Sequence, residues 1–309
     1  MAENFGNIAL IGVGLINGSL ALGLKQAGAI DKITGYARRE STLQRALELG
    51  LIDGFNTDPV EAVRGANIVV LGTPPAAMGE VAKAIAPGLQ PGSVVTDVGS
   101  VKQAVIDLVQ PHLPSHSVFV PGHPVAGTEH SGPDAAFSTL FNNRRCILTP
   151  QHGETDQHVE KIAAMWRTVG SHVDVMAPAH HDKILAITSH LPHLIAYTIV
   201  GTVADLEDQD QTEVFKFAAG GFTDFTRIAG SDPTMWRDVF LNNKDAVLEM
   251  LGRFSEDLSA LQRAIRWGDG EILFDLFTRT RAIRRGVIDA GQAYIRQPED
   301  PLAQTETDG

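Results

Sequence analysis

The sequence predicts an α/β domain with a doubly wound parallel sheet, followed by an all-α domain. Short apolar runs, many of them β-branched, recur until about residue 176, and most stretches between them can hold a helix. Such runs are typical of strands buried on both faces of a parallel sheet. The runs are Ile8–Ile11, Ile33–Tyr36, Ile68–Leu71, Val94–Thr96, Val118–Val120, Cys146–Thr149 and Val173–Met176.

The pattern becomes helical near Pro178. Residues His181–Leu206 are apolar almost all round, which predicts a helix in a large core or a subunit interface, kinked by Pro192. A long helix is predicted over Pro233–Trp267, where apolar residues form one stripe, and a last one over Glu271–Ile295. The predicted domains are therefore 1–180 and 181–296, and we expect a disordered polar tail over 297–309.

Composition and charge narrow the class of protein. The chain has 309 residues, 43% hydrophobic and 20% charged, which is ordinary for a globular protein. Its net charge of −12 argues against a nucleic-acid partner. The single cysteine, Cys146, excludes an internal disulfide and a multi-cysteine zinc site, and its apolar neighbours predict that it is buried.

The same features set expectations about location. We expect that no apolar run approaches the ~18–20 residues of a membrane span. The N-terminus lacks the basic start of a signal peptide. We therefore expect a cytoplasmic protein with no membrane partner.

A glycine loop follows the first predicted strand. Gly12 permits a tight turn there, and Gly14 lets a phosphate approach the backbone at the start of a helix that opens with Leu15 and Ile16. The third position of the usual motif is Asn17 instead of Gly or Ala. This setting predicts a Rossmann-type domain that binds NAD or NADP, with Thr73, just after the Ile68–Leu71 strand, as a further cofactor-binding candidate.

The end of the second strand bears on the choice of cofactor. An acid that binds the ribose hydroxyls is expected there in NAD enzymes, but the sequence has Ala37 followed by Arg38 and Arg39. The two arginines could hold a 2′-phosphate, which favours NADP or dual use. Alternatively, they are solvated at a helix start.

His123 is the first candidate catalytic residue. It lies between Gly122 and Pro124 after the fifth predicted strand, in what the sequence predicts to be a loop beside the cofactor crevice. A hydroxyl oxidation needs a base with a pKa near neutrality, which histidine provides. Ser100 follows the fourth strand in the same crevice and could orient the imidazole or the substrate.

Further polar residues occur in the helical half. A histidine cluster consists of His180 and His181, followed by Ser189, His190 and His193. No acidic partner motif accompanies it, so substrate contact from the apolar helix is favoured over a metal site. Arg227 can grip a carboxylate through two N–H groups. Asp232 and Pro233 are typical of a helix start just before Trp236.

Taken in order, these segments closely resemble the prephenate/arogenate (cyclohexadienyl) dehydrogenase family of tyrosine biosynthesis. The likeness covers about residues 6–290. The motifs that carry it are Gly12–Ile16, Asp97–Lys102, Gly122–Pro124, Ser189–His193, Asp224–Arg227 and Asp232–Trp236.

The resemblance implies an NAD(P)-dependent oxidative decarboxylation of a small dianionic substrate. It implies that His123 accepts the proton of the ring hydroxyl and that Ser100 supports His123. It also implies that Arg227 binds the ring carboxylate. Further implied site residues are Ser189 and His193, which line the substrate and nicotinamide region, and Glu129, which joins the polar network.

Assembly and regulation are implied in the same way. The resemblance implies a homodimer built by the helical domain, with Trp236 reaching the partner subunit's site, and it raises feedback inhibition by tyrosine. Thr223 stands where many relatives carry a lysine, so the choice between prephenate and arogenate stays open.

Two alternatives compete with this interpretation. One is a β-hydroxyacid dehydrogenase of similar two-domain architecture, which would use a lysine base and which the His123 segment disfavours. The other is a dinucleotide-sensing protein without turnover, which would not need Ser100, His123 and Arg227 together.

Overall fold

A computed structural model describes residues 3–128, 130–151, 156–206, 213 and 216–287. It contains two compact units, residues 1–250 and 251–309. Glu129 and the predicted tail at 297–309 lie outside the described residues, as does the predicted end of the last helix at Ile295.

The first unit is built on a six-stranded parallel sheet. Its strands lie in the order β3-β2-β1-β4-β5-β6, which confirms the predicted doubly wound sheet. The order reverses between β1 and β4, so a crevice opens at their carboxyl ends, where such folds bind ligands. The strands are β1 (Asn7–Ile11), β2 (Lys32–Tyr36), β3 (Gly54–Phe55), β4 (Ile68–Leu71), β5 (Val94–Asp97) and β6 (Val118–Val120).

Two hydrophobic cores cover the two faces of this sheet. Alternation along β1 sends Ile8 and Leu10 into one core and Ala9 and Ile11 into the other. Five helices connect successive strands of this sheet. A sixth helix, which carries Trp166, comes later in the chain than the last strand of the sheet. The helices are α1 (Leu15–Ala27), α2 (Glu40–Glu48), α3 (Pro59–Val63), α4 (Pro75–Ile85), α5 (Gln103–Val109) and α6 (Asp156–Thr168).

A second, three-stranded sheet corrects two expectations. His123 does not lie in a loop but in β7 (Gly122–Val125), which pairs antiparallel with β8 (Arg145–Leu148). β8 pairs in parallel with β9 (His172–Val175), so the last two predicted strands leave the main sheet. Pro124 donates no N–H, which restricts β7 to the edge of this sheet, and the sequence of β7 has no apolar run that would predict a strand.

Cys146, in the middle strand of this sheet, is buried as predicted. Burial raises the pKa of its thiol well above 9.0, so the group is un-ionised at neutral pH.

The helical segment of the first unit begins with α7 (Pro178–Leu185), a π turn at Ala186–His190 and α8 (Leu191–Ala204). The irregularity predicted at Pro192 is therefore a π turn just before it, because proline offers no N–H to the preceding turn. Much of this apolar helix is only half-buried in the single chain, which favours the subunit-interface alternative.

By length and composition, the continuous helical stretch Pro178–Ala204 could also cross a membrane, so the expectation that no apolar run comes near that length was wrong. The stretch nevertheless contains a charged residue, Asp182, and a histidine, His190, both buried inside the protein.

The predicted helix Pro233–Trp267 is two helices in the structure. α9 (Gly220–Thr226) precedes them. α10 (Pro233–Asn242) is followed by one non-helical residue, Asn243, and then by α11 (Lys244–Trp267). Asn243 leaves helical geometry, with φ −118° and ψ 34°, and its side chain bonds to α7 and the π turn. That tertiary contact explains the break, which the apolar stripe alone does not reveal.

The second unit contains most of α11 and, among the described residues, all of α12 (Gly270–Val287). Several large apolar side chains on these helices are exposed in the single chain: Leu258, Ile265, Trp267, Ile272, Phe274, Phe277 and Ile283. The compact units divide at residue 250, whereas the sequence predicts a boundary at 180 from the change of pattern; that boundary remains a prediction.

Candidate active site

The glycine loop has the geometry of a phosphate cradle. Gly12 has φ +88°, and a Cβ there would lie 2.7 Å from the carbonyl oxygen of Gly72. Over Gly14 nothing lies within 4 Å of where a Cβ would stand. Gly14 is also the N-cap of α1 and adds no side-chain cap, so the first N–H groups of α1 face this open space.

Asn17 braces this loop. Its Nδ2 donates to the carbonyl oxygen of Gly12 at 2.8 Å, and its side chain is buried. Gly18 permits close packing beside it, because a Cβ there would lie 2.8 Å from the Cβ of Ala136. The departure at the third motif position thus replaces a glycine with a hydrogen bond that holds the turn.

Other cofactor candidates lie where the sequence predicts. Leu15 and Ile16 open α1, and the Thr73 Oγ1 after β4 is buried without a hydrogen-bond partner. The open space over Gly14 and the unused donors therefore fit a dinucleotide. Ala37 is half-buried at the end of β2, and Arg38 and Arg39 after it are exposed. Exposure is compatible with both alternatives for the two arginines, binding of a 2′-phosphate and solvation at the start of a helix.

A buried ion pair supports the neighbouring strand ends. Lys102 Nζ lies 2.5 Å from Asp97 Oδ2 and donates to the carbonyl oxygen of Gly122 at 2.6 Å. The amide of Gly122 donates to Asp97 Oδ1 at 3.1 Å. The pair thus joins the Ser100 loop, between β5 and α5, to the strand that carries His123, and Ser100 is half-buried in that loop.

A row of buried polar side chains runs from His123 into α7. His123 Nδ1 lies 2.8 Å from His181 Nε2, and His181 Nδ1 lies 2.8 Å from Asp182 Oδ1. The carboxylate also accepts from the backbone amides of Lys102 and Gln103, at 2.8 and 2.9 Å. His123 is 6% exposed and His181 is fully buried.

This environment keeps both imidazoles neutral. Burial, followed by the electrostatic effects of the neighbouring His181 and Lys102, lowers the pKa of His123 well below 6.5. Burial also lowers the pKa of His181, although its hydrogen bond to Asp182 opposes the shift. Burial acts to raise the pKa of Asp182, but the hydrogen bonds from His181 and from the two amides leave it below 3.8.

His190 forms a second branch of this polar core. Its Nδ1 lies 3.1 Å from the Nδ2 of Asn243, which also donates to the carbonyl oxygen of Asp182 at 2.8 Å. Burial lowers the pKa of His190 to about 4. From the sequence, His181 was named only as part of the histidine cluster, and Asp182 and Asn243 were missed as site residues; the only signal for Asp182 was its position just before the Ser189–His193 motif.

His193 faces a different set of groups. Its Nδ1 donates to the carbonyl oxygen of Ser189 at 2.9 Å, and its ring stacks on Trp236 with the centroids 3.6 Å apart. Burial lowers the pKa of His193; the hydrogen bond to Ser189 opposes this shift, and the charge of Arg227 adds to it. Arg227 is exposed and follows α9.

The structure thus brings Ser189, His193, Arg227 and Trp236 into one neighbourhood of the first unit, with His190 linking it to the His123 row. One detail differs from the expectation that Trp236 reaches a partner subunit's site. The indole is 6% exposed and is buried against His193 and His190 of its own chain.

Comparisons with known proteins match both parts of the chain. A family model described as the nucleotide-binding domain of prephenate dehydrogenase matches residues 20–175, and one described as its dimerization domain matches residues 177–279. The chain is 41% identical over 280 residues to the cyclohexadienyl dehydrogenase of Zymomonas mobilis, covering 91% of this chain and 95% of the relative. It is 36% identical over 281 residues to the prephenate dehydrogenase of Bacillus subtilis, covering 91% and 76%.

Solved structures show the same relationship. The prephenate dehydrogenase of Aquifex aeolicus, in complex with hydroxyphenyl propionate and NAD+, superposes with a TM-score of 0.85 at 33% identity, covering 93% of this chain and 100% of that one. The arogenate dehydrogenase of Synechocystis superposes with a TM-score of 0.76 at 29% identity, covering 91% and 99%.

The fold, the dinucleotide cradle and these relatives define an oxidoreductase that uses NAD or NADP. The chain belongs to the prephenate dehydrogenase family.

Proposed function

We propose that this enzyme oxidatively decarboxylates prephenate, arogenate or both, in tyrosine biosynthesis. The observation that carries the proposal is the buried row of His123, His181 and Asp182, which lies beside the carboxyl edge of a dinucleotide-binding sheet. A neutral imidazole there is a base for a hydroxyl proton, and the two named substrates of this family carry such a hydroxyl on the ring.

The reaction balances with one base and one hydride acceptor. His123 takes the proton of the C4 hydroxyl, while bound NAD(P)+ supplies the acceptor for the C4 hydride. The ring carbon that bears the carboxylate then loses it as CO2. The electron pair left behind makes the ring aromatic, and the oxygen on C4 takes back the proton held by His123. Aromatisation makes the overall step effectively irreversible.

The residues of α8, α9 and α10 hold the substrate in this proposal. Arg227 binds the ring carboxylate through two charge-assisted hydrogen bonds. Ser189 and His193 line the substrate and nicotinamide region, and Trp236 packs behind His193. Ser100 supports His123 from the neighbouring loop, and Glu129, outside the described residues, joins the polar network by resemblance.

The protein works as a homodimer in this proposal. The dimerization-domain match covers residues 177–279, and the single chain leaves α8 half-buried and several large side chains of α11 and α12 exposed. Sedimentation at micromolar concentration would show a dimer, and a stable monomer would contradict the assignment of these surfaces.

The proposal also covers inhibition by tyrosine and the location of the enzyme in the cell. Tyrosine inhibits the enzyme, because it keeps the ring of the aromatic product and the amino-acid side chain of arogenate, and so competes for the same pocket. The enzyme works in the cytoplasm, because the helical stretch that could cross a membrane contains the buried His181 and Asp182 of the site.

One kinetic matrix tests the function: prephenate and arogenate against NAD+ and NADP+, each with and without tyrosine. The proposal predicts cofactor reduction and CO2 release together with at least one substrate. Reduction with short 3-hydroxy acids, and none with either cyclohexadiene, would favour the β-hydroxyacid alternative. Binding of cofactor without any turnover would favour the sensing alternative.

A further inference from the structure

We infer that Asp182 and His181 are positioning residues that fix which ring nitrogen of His123 carries its proton. The inference rests on the proposed role of His123 as the base. It adds two residues, both outside the predicted site, and it assigns the reactive atom as His123 Nε2.

The Asp182 carboxylate determines which nitrogen of His181 is protonated. An ionised carboxylate only accepts hydrogen bonds, so the nitrogen of His181 that faces Asp182 Oδ1 at 2.8 Å must be protonated. His181 Nδ1 therefore carries the proton. Because burial keeps His181 neutral, its other nitrogen, Nε2, has a free lone pair.

The protonation of His181 in turn determines which nitrogen of His123 is protonated. His181 Nε2 faces His123 Nδ1 at 2.8 Å, and a lone pair on one side requires a donor on the other. His123 Nδ1 therefore carries the proton of that ring. His123 is neutral as well, so its Nε2 is the unprotonated nitrogen and can accept a proton from the substrate.

Hydrogen bonds fix the orientation of the Asp182 carboxylate towards His181. Its two oxygens accept from the amides of Lys102 and Gln103, and the carbonyl oxygen of Asp182 accepts from Asn243. Asp182 is 5% exposed, so water does not replace these partners. The start of α5 thus holds the carboxylate in place, and the break between α10 and α11 holds the backbone of Asp182.

The opposite tautomer would disable the site. If His123 carried its proton on Nε2, it would present a donor to the substrate hydroxyl and could not remove the proton. In the Ser-His-Asp enzymes, the buried aspartate likewise holds the imidazole in the tautomer that leaves the reacting nitrogen free. Here His181 lies between the aspartate and the base, so the carboxylate sets the tautomer of His123 through a second imidazole ring.

The experiment compares three variants of the full-length enzyme. His181→Leu removes the acceptor for His123 Nδ1, whereas His181→Gln keeps an acceptor oxygen on a side chain of similar reach. His180→Leu changes the neighbouring exposed histidine and serves as the matched control. Each variant is measured for kcat, for KM with prephenate and for the dissociation constant of NAD+, and histidine 15N shifts report which ring nitrogens are protonated.

We expect His181→Leu to lower kcat by roughly 10²–10⁴, the usual contribution of a general base, with KM and NAD+ binding little changed. We expect His181→Gln to recover at least about tenfold in kcat over His181→Leu. The 15N shifts of the unmodified enzyme should show His123 protonated at Nδ1. His180→Leu should match the unmodified enzyme.

Two results would overturn the inference. One is a 15N spectrum with His123 protonated at Nε2. The other is an unchanged kcat in His181→Leu while His123→Asn loses activity, which would leave the proposed base intact and remove only the positioning role. If His123→Asn itself keeps its kcat, the proposed function of His123 fails instead, so the two failures are distinguishable.

Discussion

Lys102 Nζ lies 2.5 Å from Asp97 Oδ2, and neither side chain is exposed to solvent. The pair joins the loop of Ser100 to the strand of His123, since Lys102 Nζ also donates to the carbonyl oxygen of Gly122. Lys102 is therefore close to the proposed base, where, after burial and the effect of His181, it contributes to the lowered pKa of His123.

Replacing Lys102 with Met should destabilise the protein by about 3–5 kcal/mol, because it leaves the Asp97 carboxylate buried without its partner. Guanidinium unfolding at one protein concentration measures the change. Arg64→Met serves as the control, since it breaks only the exposed pair with Glu61 and should leave the stability nearly unchanged. Equal losses in the two variants would count against the buried pair.

Local patterns were enough to predict five of the six strands of the main sheet and the position of the glycine loop, but not the short strand β3. Buried parallel strands are short apolar runs, and the glycine loop follows the first of them, so β1, β2, β4, β5 and β6 were predicted almost residue for residue. The resemblance of their motifs also implied that Ser189, His193 and Arg227 serve one substrate site, whereas Trp236 was expected to reach the partner subunit's site.

The features that were missed depend on contacts between distant segments. β7 pairs through Gly122–Val125, a segment without an apolar run, so only its partner β8 makes it a strand. Asn243 interrupts a good helical stripe because its side chain bonds to Asp182 and His190. The His123–His181 pair joins residues 58 positions apart, which no local spacing reveals.

Replacing Arg227 with Ala should chiefly raise KM for the substrate. The loss of charge-assisted hydrogen bonds to the ring carboxylate is worth about 1.5–3 kcal/mol, which corresponds to a rise of roughly 10- to 150-fold. Steady-state kinetics with prephenate measures it. Arg45→Ala removes a surface arginine paired with Asp134 and should leave KM unchanged. An unaltered KM in Arg227→Ala would remove this residue from the substrate site.

Arg38 and Arg39, which follow β2, should allow the enzyme to use NADP+ as well as NAD+. No carboxylate at position 37 repels a 2′-phosphate, and Arg38 and Arg39 are exposed there. The double variant Arg38→Ala, Arg39→Ala should raise KM for NADP+ by roughly tenfold or more and leave KM for NAD+ nearly constant. A large preference of the unmodified enzyme for NAD+ would show that the arginines are only solvated.

Acid should destabilise the fold through the buried histidines. Burial lowers the pKa values of His123, His181, His190 and His193 in the folded state, so the unfolded chain binds more protons below about pH 6.5. The free energy of unfolding should therefore fall as the pH drops from 7 to 5, by up to about 1.4 kcal/mol per pH unit for each histidine.

Denaturant unfolding across this pH range checks the sign. His190→Gln should flatten the slope, because it removes the group whose pKa lies at about 4. His180→Gln changes an exposed histidine and should leave the slope as it is. Stability that is constant or rises towards pH 5 would mean that these rings are not held neutral.

The most direct test of the account is kcat of His123→Asn with prephenate and with arogenate at saturating cofactor. The account predicts that the unmodified enzyme turns over at least one of them, and that the variant loses roughly 10²–10⁴ in kcat on that substrate while it still binds cofactor. A kcat in the variant close to that of the unmodified enzyme would contradict the central claim that His123 takes the substrate proton.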